Sequence, residues 1–171
     1  MDGPERVASA LGGRRAEPGV VPVAPTTGVS GAVAQDDGRS ALVAVVPLGR
    51  LTADQAELLA DGAGGELQLT PWRSVVVPDL TDPAAAAVAL TSAGLVLDPG
   101  SAWLRVTACA GRPGCAKSLA DVRGDVVRAV TSGTLPADGA RQHWVGCERR
   151  CGRPSGHVVD VVATATGYRI G

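Results

Sequence analysis

The sequence predicts an α+β chain of two small units, and three observations predict it. Between about residues 40 and 98, short β-branched runs alternate with two helical stretches that carry their own start signals. After the turn Asp98-Pro99-Gly100 the character changes, and all four cysteines and ten of the sixteen basic residues fall in residues 101–171. Residues 1–38, in contrast, are rich in Gly and Pro with no sustained period of 2 or 3.6, the composition of a flexible linker.

Taken in order, Glu5 to Leu11 reads as the end of a helix closed by Gly12. Ala41 to Val46 is a β-branched run ended by Pro47, and Thr52 with Gln55 makes a capping box for a helix over Ala53 to Ala60. Glu66 to Leu69 and Ser74 to Val77 read as two short strands joined through Thr70-Pro71-Trp72-Arg73. Asp82-Pro83 supplies an N-cap and a first-turn proline for an alanine-rich helix that Gly94 stops, and Leu95 to Leu97 reads as a last strand. The order β-α-β-β-α-β over residues 39–98 is that of a ferredoxin-like half-domain, with helices on one face of an antiparallel sheet. In residues 99–171, Ser101 to Thr107 alternates as a strand leading to the first cysteine. Lys117 to about Val130 reads as an amphipathic helix, with Asp121 and Asp125 on its solvated face, and Val158 to Ala163 and Tyr168 to Ile170 as strands.

Composition narrows the function. The 171 residues are 45% hydrophobic and 19% charged, enough for one ordinary domain or two small ones with a buried core. No apolar run approaches ~18 residues, and the first thirty residues carry Glu5, Arg6, Arg14, Arg15 and Glu17 in place of a signal core, so the expectation is a cytoplasmic chain without a membrane partner. A net charge of -1, 2% aromatic residues and no Phe argue against a nucleic-acid partner. The charge is uneven: residues 1–100 carry 6 basic and 12 acidic side chains, residues 101–171 carry 10 and 5. The C-terminal part is built to face something negative. Sequence patterns for a phosphate-cradling loop, a nucleophile elbow and an H-E-x-x-H zinc site are all missing.

The cysteines stand in two pairs, Cys109-x5-Cys115 and Cys147-x3-Cys151, with thirty-one residues between the pairs. Nothing marks the chain as secreted, which disfavours a disulfide framework, and the six-residue step from Cys109 to Cys115 is wide for a zinc knuckle. Four unrelated thiols would leave Gly111, Pro113, Gly114, Gly146 and Gly152 around them without a reason. A [4Fe-4S] cluster needs four thiolates on loops whose backbone can approach the inorganic sulfides, and these glycines permit that approach. Cys115 is expected just before a helix N-terminus, where the peptide dipoles favour an anionic ligand set. Arg112, Lys117, Arg149, Arg150 and Arg153 flank the cysteines and could stabilise such a cluster or hold a polyanionic partner.

The C-x5-C and C-x3-C pairs in this order, followed by small residues and a terminal β segment, resemble the cluster motif of the siroheme nitrite and sulfite reductases. Residues 40–171 share this likeness. Within that superfamily, Thr107 to Ser118, His143 to Pro154 and the upstream Leu69-Thr-Pro-Trp-Arg73 are more similar to precorrin-3B synthase, of the aerobic route to cobalamin. The resemblance implies a ferredoxin-like half-domain followed by a cluster-binding α/β segment of the nitrite/sulfite reductase type, with Cys109, Cys115, Cys147 and Cys151 as ligands. It also implies an oxygenation that converts precorrin-3A to precorrin-3B with dioxygen and a reduced donor, nicotinamide or ferredoxin-type; the alternatives are a siroheme-dependent nitrite or sulfite reductase fragment and a non-catalytic [4Fe-4S] electron-transfer module. Cys151 corresponds to the position that bridges to siroheme iron in the reductases. Glu148-Arg149-Arg150 departs there from the smaller residues usual in reductases, and a mononuclear non-haem iron is the other metal implied, with His143 and His157 the available imidazoles. Arg112, Arg149, Arg150 and Arg153 are the candidates for the carboxylates of an anionic tetrapyrrole. The family binds its tetrapyrrole between two related halves. This chain carries the second, so either the product is truncated or a missing N-terminal half comes from a partner or a second copy.

Overall fold

The computed structural model describes residues 29–62, 66–137 and 139–171. The reading of Glu5 to Leu11 lies outside the described residues. Two four-stranded sheets follow one another along the chain.

The first sheet contains β1 (Gly31–Ala34), β2 (Ser40–Val45), β3 (Gln68–Leu69) and β4 (Ser74–Leu80), all antiparallel in the order β1-β2-β4-β3. Helices α1 (Ala53–Gly62) and α2 (Pro83–Ser92) cover one face, where Leu59 and Leu90 pack on Leu42, Ala44, Val75 and Val77. The start signals act as the sequence implies. The Thr52 N–H donates to Gln55 Oε1 at 3.0 Å while the Gln55 N–H donates to Thr52 Oγ1 at 3.2 Å, and Asp82 Oδ1 accepts from the Ala85 N–H at 2.9 Å. Gly94, at φ +84, ends α2 with the Leu95 N–H reaching back to the Leu90 carbonyl at 3.0 Å.

Four expectations in this unit require correction. The strand expected over Leu95 to Leu97 is reduced to a single bridge, Val96 to Val45. Most of that sheet edge is taken by β1, from residues read as linker, which pairs Gly31 with Val43 through Ala34 with Ser40 and leaves only Val45 for Val96. Such a strand is hidden because only Val33 of its four residues is β-branched and the Gly- and Pro-rich run before it has no sustained period of 2. The strand expected over Glu66 to Leu69 is only Gln68–Leu69, and the one expected to stop at Val77 runs on through Pro78 to Leu80. Pro78 is tolerated because the register slips there: Val77 pairs with Leu42 and Leu80 with Ser40, so a bulge spares the missing N–H.

The second sheet contains β5 (Val106–Ala108), β6 (Gln142–Val145), β7 (Val159–Thr164) and β8 (Gly167–Ile170) in sequence order. β5, β6 and β7 are parallel, and β8 returns antiparallel. Helix α3 (Val122–Thr131) sets Val122, Val126 and Ala129 against Val106, Trp144 and Val161. Trp144 meets Tyr168 edge to face at 5.0 Å, and the Tyr168 hydroxyl donates to Asp125 Oδ2 at 2.5 Å. Burial first, then that hydrogen bond, holds the Tyr168 phenol above its ordinary pKa.

Here too the sequence misleads in places. Ser101 to Leu104 is a turn, with the Leu104 N–H donating to the Ser101 carbonyl at 3.2 Å, and the strand begins only at Val106. The helix expected from Lys117 begins at Val122, capped by Asp121, whose Oδ1 accepts from the Gly124 N–H at 3.1 Å. Residues before it spend their backbone groups elsewhere: the Leu119 N–H donates across to the Gly146 carbonyl at 2.8 Å and Ser118 Oγ to the Ala120 carbonyl at 2.7 Å. Cys115 therefore precedes the helix N-cap, Asp121, by six residues instead of directly leading into the helix.

The two units are joined by more than the chain. Leu48 packs against the second core, and half-buried Arg73, at φ +61, donates from Nη1 to the Val106 carbonyl at 2.8 Å. Burial, and then the neighbouring Arg141 charge, lowers the Arg73 pKa. Among the described residues no helix is long and apolar enough to cross a membrane.

Leu59, 2% exposed, closes the first core, and Leu59→Ala is expected to lower unfolding stability by ~2–5 kcal/mol in urea titration. Val88, 69% exposed on α2, should change it by no more than ~0.5 kcal/mol when cut to Ala.

Candidate functional site

Parallel pairing decides where the cysteines go. Because β5 and β6 run side by side, with Val106 opposite Gln142 and Ala108 opposite Trp144, their carboxyl ends leave the sheet together. Cys109 directly follows β5, and Gly146-Cys147 directly follows β6. The carboxyl end of parallel strands is where open α/β sheets place their ligands, since loops of different origin converge there. The Cys109 N–H donates to the Trp144 carbonyl at 3.0 Å, and the Gly146 N–H donates to Cys109 Sγ at 3.3 Å. The first thiol thus touches the residue beside the third.

The loop from Cys109 to Ala120 is packed by glycine. Gly111 lies at φ +66, where a Cβ would come within 2.7 Å of Val122 Cγ2. The Cys115 N–H donates to the Gly111 carbonyl at 2.8 Å and the Cys115 carbonyl accepts from the Ser118 N–H at 3.1 Å, a compact double turn. At Gly146 a Cβ would fall 1.7 Å from Ser118 Oγ, so this loop and the start of the next can meet only over a bare backbone. Arg112 braces the same loop, donating from Nε to the Ser118 carbonyl at 2.7 Å.

The loop from Gly146 to Val158 folds back onto the second sheet. Thr107, His143 and Asp160 stand opposite one another on β5, β6 and β7, a polar row across three parallel strands. Such strands are ordinarily apolar on both faces, so each polar group needs a partner. His143, 1% exposed, meets Thr107 Oγ1 through Nδ1 at 2.8 Å and the Cys151 carbonyl through Nε2 at 3.2 Å. A carbonyl only accepts, so Nε2 carries the proton. Burial lowers the His143 pKa, against the opposing pull of the Cys151 carbonyl and of Asp160. Asp160, also buried, accepts from Arg153 Nε at 2.9 and 3.2 Å and pairs with Arg150 Nε at 3.3 Å.

The candidate ligands divide by exposure: Cys109, Cys115 and Cys147 are half-buried and Cys151 is exposed, all as free thiols. Among the described residues no three His, Cys, Asp or Glu side chains converge on one point, as ligands of a single metal ion would. A four-iron cube asks for something different, one thiolate at each of four separate corners. Four thiols on two loops leaving adjacent strand ends, with a backbone N–H already on one sulfur and glycine at the contact between the loops, are a donor set that fits it. The candidate arginines separate as well. Arg150 and Arg153 are committed to Asp160 and Arg112 to its own loop, whereas Arg149 is exposed and, among the described residues, makes no side-chain hydrogen bond or ion pair. Both His143 nitrogens have protein partners, and His157 is exposed. Sequence reasoning missed Asp160, which reads as a lone acid in a valine-rich strand. A charge inside such a run is the signal that could have found it.

Comparison with known proteins bears on this arrangement. Residues 33–90 match the nitrite/sulfite reductase ferredoxin-like half domain. The matched stretch is the first unit and contains none of the cysteines. Among solved structures the chain is similar to the NirA protein of Mycobacterium tuberculosis, at 21% identity and a TM-score of 0.55, over 82% of this chain and 28% of that one. That coverage extends past the half domain into the second sheet. At this identity the likeness is one of fold, and the chain spans little more than a quarter of that protein's length. No curated protein matches the chain. The α+β architecture expected from the sequence, a ferredoxin-like half domain followed by a second α/β sheet, is the one observed.

Gly146→Ala is expected to lower stability by ~1–3 kcal/mol through overpacking against Ser118. In a double-mutant cycle by urea unfolding, Ser118→Gly should recover most of that loss in the Gly146→Ala background.

Proposed function

We propose that the chain is the cluster-bearing part of an iron-sulfur oxidoreductase, with Cys109, Cys115, Cys147 and Cys151 as ligands of a [4Fe-4S] cluster. The observation that carries this reading is the exit of both thiol pairs from the neighbouring carboxyl ends of β5 and β6, joined by the hydrogen bond from Gly146 to Cys109 Sγ. When bound, the cluster would supply one-electron transfer. The chain's own residues do the rest. Gly146 presents its N–H to a ligand sulfur, a contact of the kind that tunes reduction potential. Gly111 and Gly146 keep the loop backbones close, and the polar row fixes the second loop.

Within that class the proposed activity is of the precorrin-3B synthase type: oxygenation of an anionic tetrapyrrole, precorrin-3A to precorrin-3B, with dioxygen and electrons from reduced nicotinamide or a ferredoxin-type donor. The residue wording of both cysteine loops supports it, as does the excess of basic side chains in residues 101–171. Arg149 is the arginine proposed to meet a substrate carboxylate, because it alone of the four candidates lacks a described side-chain partner. A siroheme-dependent nitrite or sulfite reductase is the second reading, favoured by the half-domain match and by the exposure of Cys151, the position where siroheme iron would be bridged. The remainder of a tetrapyrrole cleft would come from a partner chain or a second copy, in keeping with the fraction of NirA that this chain spans.

Anaerobically purified protein is expected to contain iron and acid-labile sulfide in equal amounts, with a paramagnetic resonance signal on reduction. Cys→Ser changes at positions 109, 115, 147 and 151 should each abolish it. Zinc without sulfide would overturn the reading, and strong visible bands of siroheme would move the function to the reductases. Arg149→Ala should weaken binding of a carboxylated tetrapyrrole about tenfold while leaving iron content unchanged, measured by absorption titration.

A further inference from the structure

Asp160 and His143 are buried, neither is a proposed ligand, and the Asp160 carboxylate and His143 Nε2 both reach one target, the loop that carries the second cysteine pair, while His143 Nδ1 is held by Thr107. The Asp160 carboxylate accepts from Arg153 and forms an ion pair, without a hydrogen bond, with Arg150, the residues two after and just before Cys151; Arg150 also donates to Glu148. His143 binds the Cys151 carbonyl between them. Arg153 also donates from Nη2 to the Val158 carbonyl at 2.9 Å, closing the far end of the loop. Three successive attachments therefore bracket a single thiol.

We propose that the row Thr107-His143-Asp160 is a built-in holdfast that sets the Cys147–Cys151 loop before any metal arrives. Its members are positioning residues, acting through Cys151 and its neighbours. Two features support this role. Arg150 lies at φ +47, a backbone conformation that a residue with a side chain keeps only when its surroundings enforce it, and the Asp160 ion pair is such an enforcement. Asp160 itself is fixed independently of the loop, because its N–H and carbonyl both pair with Gly171, at 2.8 and 3.0 Å. The holdfast belongs to the sheet and the loop is what it grips. The row also begins on β5, two residues before Cys109, so the roots of both thiol pairs share one network. Without it, the loop would be free to take its shape from the cluster itself.

This inference rests on the cluster reading, and its test is separable from it because it is read on the full metal-free chain. Hydrogen exchange by mass spectrometry is expected to show amides of residues 147–153 protected in the wild type. Asp160→Asn should speed their exchange about tenfold, with β2 and β4 unchanged. His143→Leu should do the same, whereas His143→Gln, whose amide can still donate to the Cys151 carbonyl, should restore protection. If Asp160→Asn does not fold, the His143 pair decides alone. Alkylation of Cys151 by iodoacetamide should rise in parallel with exchange. Unchanged exchange in both Asp160→Asn and His143→Leu would overturn the proposal, as would a rise spread evenly over both sheets or a failure of Gln to rescue. Loss of iron binding in the wild type would sink the cluster reading while leaving these exchange rates as they are.

Discussion

Parallel pairing of β5 with β6 is the constraint on which the rest of the C-terminal unit depends. A parallel pair requires a long crossover, here the Cys115 loop, α3 and the segment leading to Gln142, so thirty-one residues separate two thiol pairs that the sheet then returns to the same edge. An antiparallel arrangement would send the pairs to opposite ends. Everything else at the site refines that placement: the bare backbone of Gly146 lets the loops touch, and the N–H of the same residue points at the first sulfur.

How much of this was legible in the sequence depends on what kind of signal each element leaves. The capping box at Thr52 and the Asp82-Pro83 start are local devices whose meaning does not depend on tertiary structure, and both helices begin where they say. β6 was missed because its four residues are buried on both sides and so show no alternation, while Ser101 to Thr107 alternates and is mostly a turn. The early start read for α3 failed for a related reason: apolar spacing around Leu119 suggested a face, but the backbone there is bonded across to Gly146. Long-range hydrogen bonds leave no periodic trace. The cysteine pairs were legible as a motif, and their neighbouring exits needed the sheet. Asp160 left a trace as a lone charge in a valine-rich run, but its partners and the engagement of both His143 nitrogens could be seen only once three strands stood in register.

The arginine excess near the cysteines looked uniform in sequence and is not uniform in space. Arg150 and Arg153 are turned inward to a buried carboxylate, and Arg112 to its own loop, so much of the local positive charge is already used in holding backbone in place. Arg150 and Arg153 keep more than a third of their side chains in solvent, yet Arg149 is the one cation of this loop without a described side-chain partner. An anionic molecule approaching this end meets a narrower cationic feature than the charge count suggests.

The bond from Arg73 to the Val106 carbonyl has a consequence for dissecting the chain. The guanidinium comes from the hairpin of the first sheet and ends at the opening residue of β5, and partly buried Leu48 packs against the second core. Separating the fragments at the Asp98-Pro99-Gly100 turn would uncover the apolar surface that Leu48 packs against and break the bond between Arg73 and the Val106 carbonyl. The composition break that looks like a domain boundary is thus a seam, and the half-domain acts as a structural subunit of the cysteine-bearing sheet.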